Sequence, residues 1–78
     1  MKQPIPEVGT VVVDTAREVV AEYRGVSGGR WALRPLDGGL EWEISPESVR
    51  VATADEALRA RLRAENKRAA WRREVGSA

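Results

Sequence analysis

Short apolar runs broken by turn residues dominate the first fifty residues of the chain. Such runs, rich in β-branched residues and bounded by Gly, Pro, Asp or Ser, are typical of strands. The pattern predicts five strands, at Val8–Asp14, Glu18–Tyr23, Arg30–Pro35, Leu40–Ile44 and Val49–Val51. In the fourth strand, Leu40, Trp42 and Ile44 alternate with acidic residues, which indicates one buried and one solvated face.

Turn residues separate the predicted strands. Asp14-Thr15-Ala16-Arg17 favours a turn, because Asp and Thr side chains can bond nearby backbone amides. The glycine-rich segment 24–29 lacks the Gly-Lys-Ser/Thr ending of a phosphate-binding loop and joins two strands, so we interpret it as a hairpin loop. Asp37-Gly38-Gly39 predicts a second hairpin, and Ser45-Pro46-Glu47-Ser48 predicts a single 3₁₀ turn.

A helix is predicted after the strands, from about Ala54 to about Glu74. Thr53 and Glu56 have the spacing of a capping box at its start. Its apolar stripe is thin and centres on Leu58 and Leu62, which could dock the first half on the strands. The second half offers little apolar surface at helical spacing, and we expect it to project unless something binds it.

These elements match the plan of a small barrel that limits its exposed edges by curling the sheet. The predicted fold is mainly β, a five-stranded SH3-like small barrel over residues 8–52. An extended lead at 1–7 precedes it, and one charged helix at 53–75 follows it, packed on the barrel or projecting from it.

Composition narrows the functional classes. The chain has 78 residues, enough for one domain, and contains neither cysteine nor histidine. It therefore lacks thiolate ligands and the commonest general base, and no nucleophile–base arrangement is recognisable. We predict a non-enzymatic protein with no catalytic residue, metal, cofactor or small-molecule substrate. No apolar run is as long as a membrane span or as the apolar segment of a signal peptide. We therefore predict a cytoplasmic protein without membrane contact.

Two sets of barrel residues allow a functional or a structural interpretation. Glu41 and Glu43 share a strand face and could act as paired carboxylates, but alternation already explains them as a solvated face. Tyr23 and Trp31 could form an exposed aromatic face for a cation or a base. Alternatively, together with Trp42, they fill the core of a domain that has no phenylalanine.

The helix carries the most suggestive feature, a high density of arginine. Residues 1–53 hold six basic and eight acidic side chains, whereas residues 54–78 hold seven basic and four acidic ones. Arg61, Arg68 and Arg72 lie on one side of the helix, and Trp71 lies among them in sequence. These four residues are the candidates for binding a protein partner or a second copy. Non-specific nucleic-acid binding and a merely solvated helix are the alternatives.

The segments VGTVVVDTAR (8–17), LRPLDGGLEW (33–42) and EALRAR (56–61) resemble a family of small uncharacterised actinobacterial proteins. The strand plan also resembles SH3-like small barrels, a group that includes Tudor and KOW modules. Both resemblances imply a fold and no particular activity.

Overall fold

The computed structural model describes residues 4–76, with side chains as far as residue 72. The predicted strands, 3₁₀ turn and helix are all formed in the predicted order. The strands are β1 (Val11–Asp14), β2 (Val19–Ser27), β3 (Arg30–Pro35), β4 (Trp42–Ile44) and β5 (Val49–Val51). The 3₁₀ turn is Pro46–Ser48, and the helix, α1, is Ala54–Gly76.

The strands form one antiparallel sheet in the order β4-β3-β2-β1-β5. This arrangement confirms a mainly β fold with one C-terminal helix. Within residues 4–76, β4 and β5 are the two edges of the sheet and do not pair with each other, so the predicted barrel is not closed by backbone hydrogen bonds.

One face of the sheet carries the core. Its buried members come from four strands, and the half-buried Trp42 and Ile44 of β4 pack against them. The rings of Tyr23 and Trp31 meet edge to face, with centroids 5.1 Å apart. The buried members are Val12, Ala21, Tyr23, Trp31, Leu33 and Val49.

A buried carboxylate lies beside this core. Asp14 is 0% exposed, and its Oδ1 accepts hydrogen bonds from the backbone amides of Ala16 and Arg17, each at 2.9 Å. These bonds confirm the predicted turn after β1. Its Oδ2 accepts a third hydrogen bond, also 2.9 Å long, from the indole Nε1 of Trp42.

The bond between Asp14 and Trp42 reveals the shape of the sheet. Asp14 is on β1 and Trp42 on β4, with β2 and β3 between them. Neighbouring strands lie about 4.8 Å apart, and side chains stand roughly perpendicular to a sheet, so the two could not meet across a flat one. The sheet therefore bends around its core. Arg17 completes the arrangement, with its guanidinium carbon 5.1 Å from the centre of the Trp42 ring.

Two strands begin later than predicted because left-handed residues precede them. Gly9 has φ of +98°, and the Thr10 amide donates to the Glu7 carbonyl, so the segment before Val11 is a turn. Glu18 has φ of +57°, a conformation that does not occur in a regular strand, and β2 accordingly begins at Val19.

Two further boundaries differ from prediction. The pairing between β2 and β3 shifts register between Tyr23 and Gly25, so that β2 continues through most of the predicted glycine-rich turn to Ser27. Such a bulge lets a strand bend without ending. Leu40 is 90% exposed and precedes β4, so the prediction that it shares the buried face of Trp42 and Ile44 is wrong.

Replacing Trp42 with Phe tests the closure by Asp14. Phenylalanine keeps an aromatic ring at this position but has no N–H to donate to the buried Asp14 carboxylate. We expect this loss to lower the free energy of unfolding by about 1–3 kcal/mol. Urea denaturation of the full chain measures this change. The control, Val26→Ala, alters a side chain that is 53% exposed and should change stability by less than about 0.5 kcal/mol. Equal effects of the two substitutions would contradict the proposed role of the bond.

Candidate interaction site on the C-terminal helix

The start of α1 is anchored by a capping box and an ion pair. The Glu56 amide donates to Thr53 Oγ1 at 3.1 Å, and the Thr53 amide donates to Glu56 Oε1 at 2.9 Å, which confirms the predicted box. Arg50 of β5 donates two further bonds to the same carboxylate, at 2.8 and 2.7 Å. The spacing of residues along the helix does not predict the Arg50–Glu56 pair, because Arg50 lies on β5 and not on the helix.

This pair changes the acid–base behaviour of both partners. The bonds from Arg50, reinforced by the Thr53 amide, lower the pKa of Glu56 from 4.5 to about 2. The same contact raises the pKa of Arg50. Glu56 is therefore charged in the folded protein at any pH well above 2, and the pair joins the helix to the edge of the sheet.

The side of α1 that packs on the sheet is made of alanine. Ala60 and Ala64 are buried, whereas Leu58 and Leu62 are 58% and 55% exposed. The prediction that Leu58 and Leu62 dock the helix is wrong. At about 100° per residue these leucines lie opposite the two alanines, whose small side chains allow the helix to lie close to the sheet.

A second anchor lies in the middle of α1. Lys67 Nζ is 2.6 Å from Asp37 Oδ2, and Arg68 donates to the Leu36 carbonyl at 3.2 Å. The hydrogen bond from Lys67 lowers the pKa of Asp37. Both contacts reach the turn between β3 and β4, so the helix is held at two separate points of the sheet.

A cleft of about 420 Å³ lies between the two anchors. Its walls combine apolar residues such as Val20 with Arg63 and Lys67 from the helix and with Glu18 and Asp37 from the sheet side. Because charges of both signs line it, the cleft selects neither anions nor cations. Among the side chains described, those of residues 4–72, no three acidic groups come together as they would to hold a metal ion.

Trp71 is exposed although it lies on the sheet-facing side of α1. It follows Ala60 and Ala64 by eleven and seven residues, which are about three and two helical turns. Its exposed fraction is nevertheless 64%, so the sheet does not extend beneath it. The helix therefore carries an uncovered continuation of its own packing face.

Two of the four predicted partner-binding residues contact a common side chain. Arg68 and Arg72 are brought together, since both donate to Glu65, at 3.2 and 3.1 Å. Arg61 lies on the same flank of the helix, is exposed, and has no ion-pair partner among the described residues. Trp71 lies on the neighbouring side, roughly 100° from Arg72.

The two aromatic-face candidates are inside the core. Tyr23 and Trp31 are 1% and 4% exposed, so neither ring is accessible to a cation or a base, and the interpretation as core filler is the one that fits. The sheet curls over the face that they share, which strand alternation alone does not reveal. Glu41 and Glu43 are exposed, as expected of a solvated face.

Comparisons with models of protein families, with curated proteins and with solved structures found no match to this chain. The helix found within residues 4–76 does not combine the length and the apolar character needed to cross a membrane.

The low pKa of Glu56 predicts how stability depends on pH. A carboxylate whose pKa is lower in the folded than in the unfolded chain stabilises the fold above the unfolded value, and this stabilisation is lost as pH falls. For Glu56 the loss should occur between about pH 4.5 and about pH 2. Urea midpoints measured across this range should fall less steeply for Glu56→Gln than for the wild type. Parallel pH profiles would contradict the assignment, and Glu47→Gln, which alters an exposed glutamate in the 3₁₀ turn, is the matched control.

Proposed function

We propose that the chain is a non-enzymatic interaction module that binds a protein partner, or a second copy of itself, through the free end of α1. The observation that carries this proposal is the 64% exposure of Trp71. Trp71 lies on the same helix face as Ala60 and Ala64, which pack on the sheet nearer the start of α1. Covering an exposed tryptophan removes a large apolar area from water, and Trp and Arg are enriched at interface centres.

The anchoring of the helix supports the same proposal. The Arg50–Glu56 and Lys67–Asp37 pairs hold α1 on the sheet, so a partner meets a helix that is already formed. Binding to a preorganised helix loses less conformational entropy than binding to a segment that must fold. Arg68 and Arg72 flank Trp71 in sequence and share the single carboxylate of Glu65, so they keep a net positive charge that favours an acidic partner surface.

The bent sheet and the bond between Trp42 and Asp14 support an SH3-like arrangement closed by side chains rather than by backbone pairing. We also propose that the module acts in the cytoplasm and, on the segments quoted above, belongs with the small actinobacterial proteins that it resembles.

Replacing Trp71 with Ala tests the proposed site. If Trp71 is an interface anchor, the substitution should weaken partner binding or self-association by about 30-fold or more. Sedimentation velocity measures self-association, and capture by the tagged full chain with nuclease present measures partner binding. Leu40→Ala, which alters a 90% exposed leucine at the turn, is the control. Unchanged binding and self-association in the Trp71 variant would contradict the proposal.

Non-specific nucleic-acid binding is the second candidate, favoured by the unpaired and exposed Arg61 beside Arg68 and Arg72. Glu65 opposes it, because that carboxylate already contacts two of the three arginines. If all three contact phosphates of a single strand, affinity should fall roughly 20-fold between about 50 and 200 mM salt. Fluorescence anisotropy with an oligonucleotide of roughly 20 nucleotides measures this, and Arg61→Gln should reduce the salt dependence. Absence of binding at low salt would exclude this candidate.

A further inference from the structure

The side of α1 that faces away from the sheet carries an apolar stripe that the fold leaves uncovered. Leu58 and Leu62 are one helical turn apart, and each is more than half exposed. Glu65 and then the half-buried Ala69 continue this side of the helix beyond Leu62. This outward stripe lies opposite the alanine face and is separate from the free end that carries Trp71.

One flank of the outward stripe is basic, because Arg61, Arg68 and Arg72 lie along it. The other flank carries Arg59 together with Asp55, so its charges balance. The nearest acidic side chains are already engaged within the helix: Asp55 pairs with Arg59 at 3.1 Å, and Glu65 contacts Arg68 and Arg72.

This charge pattern disfavours a second copy as the occupant of the stripe. In an antiparallel pair of α1 helices, the flank with Arg61, Arg68 and Arg72 would face its own counterpart. In a parallel pair, the same flank would face the balanced Arg59–Asp55 pair of the other helix and gain no net attraction from it. Like charges that meet across a helix pair destabilise it, so an antiparallel self-pair opposes its own electrostatics, and a parallel one lacks the attraction that an acidic partner would supply.

We propose that the outward stripe of α1 docks an acidic amphipathic helix of a partner protein. Leucines one turn apart suit the apolar face of another helix, and glutamates along one side of that face would complement the basic flank. Leu58 and Leu62 offer a small area, which indicates a transient complex. The proposal rests on the interaction function above and adds to it the chemistry of the partner and a second surface.

A pair of synthetic peptides tests the proposal on the full chain. Each peptide is an amphipathic helix of about 20 residues with a leucine stripe, flanked by Glu in one peptide and by Lys in the other. Titration into the isotope-labelled protein, followed by NMR, should show the Glu peptide binding at least about tenfold more tightly, with shifts centred on Leu58 and Leu62.

Two variants locate the binding surface. Leu58→Gln/Leu62→Gln should weaken binding of the Glu peptide by about tenfold or more, because it removes the apolar contact and keeps good helix formers. Leu40→Gln should leave the affinity unchanged, since that residue lies in the turn before β4. Urea denaturation of the double variant should show that the fold is retained, because both leucines are exposed.

The remaining outcomes separate this proposal from the interaction function. Equal binding of the two peptides, or an unchanged affinity in the double leucine variant, would overturn the acidic-helix proposal. Self-association that is lost in the double leucine variant would overturn it in favour of a second copy. If partner binding is lost in Trp71→Ala but not in the double leucine variant, the interaction function would be supported and the role of the outward stripe would be rejected. If neither variant changes any association, both proposals fail.

Discussion

The hydrogen bonds to Asp14 are the interaction on which the rest of the sheet depends. A buried carboxylate is costly unless its oxygens are bonded, and here two backbone amides and one indole N–H satisfy it. The same side chain thereby fixes the turn that follows β1 and holds β4 against β1. A chain of 78 residues without cysteine has no disulfide to do this. The core face is enclosed because a side chain bridges strands that the backbone leaves unpaired.

The bent sheet then determines how the helix lies on it. Arg50 on β5 and Asp37 in the turn after β3 offer opposite charges at two separate points, and Glu56 and Lys67 meet them eleven residues apart along α1. Two attachments on one side of a helix fix its rotation as well as its position. The alanine face is therefore turned inward and the leucines are turned outward, while Arg68, on the flank between them, reaches the Leu36 carbonyl of the sheet.

Local signals predicted most of the elements, and contacts between distant residues decided the rest. The capping box at Thr53 and the Asp14 turn each need only a few neighbouring residues, so the sequence was enough to predict them. The inward side of α1 was predicted wrongly, because Leu58 and Leu62 are more apolar than Ala60 and Ala64. A prediction from hydrophobicity turns the leucines inward, whereas in the structure the inward side carries the alanines, and the helix also makes two ion pairs to the sheet. Nothing local links Trp42 to Asp14, 28 residues away.

The geometry of α1 also relates its two exposed apolar features to each other. Trp71 continues the inward side, and Leu58 and Leu62 form the outward stripe, so one straight partner helix cannot cover both. The flank with Arg61, Arg68 and Arg72 lies between them and borders each. A partner that approaches from either side therefore meets the same row of arginines. Both proposed surfaces therefore favour an acidic partner, whereas the shape of the apolar contact differs between them.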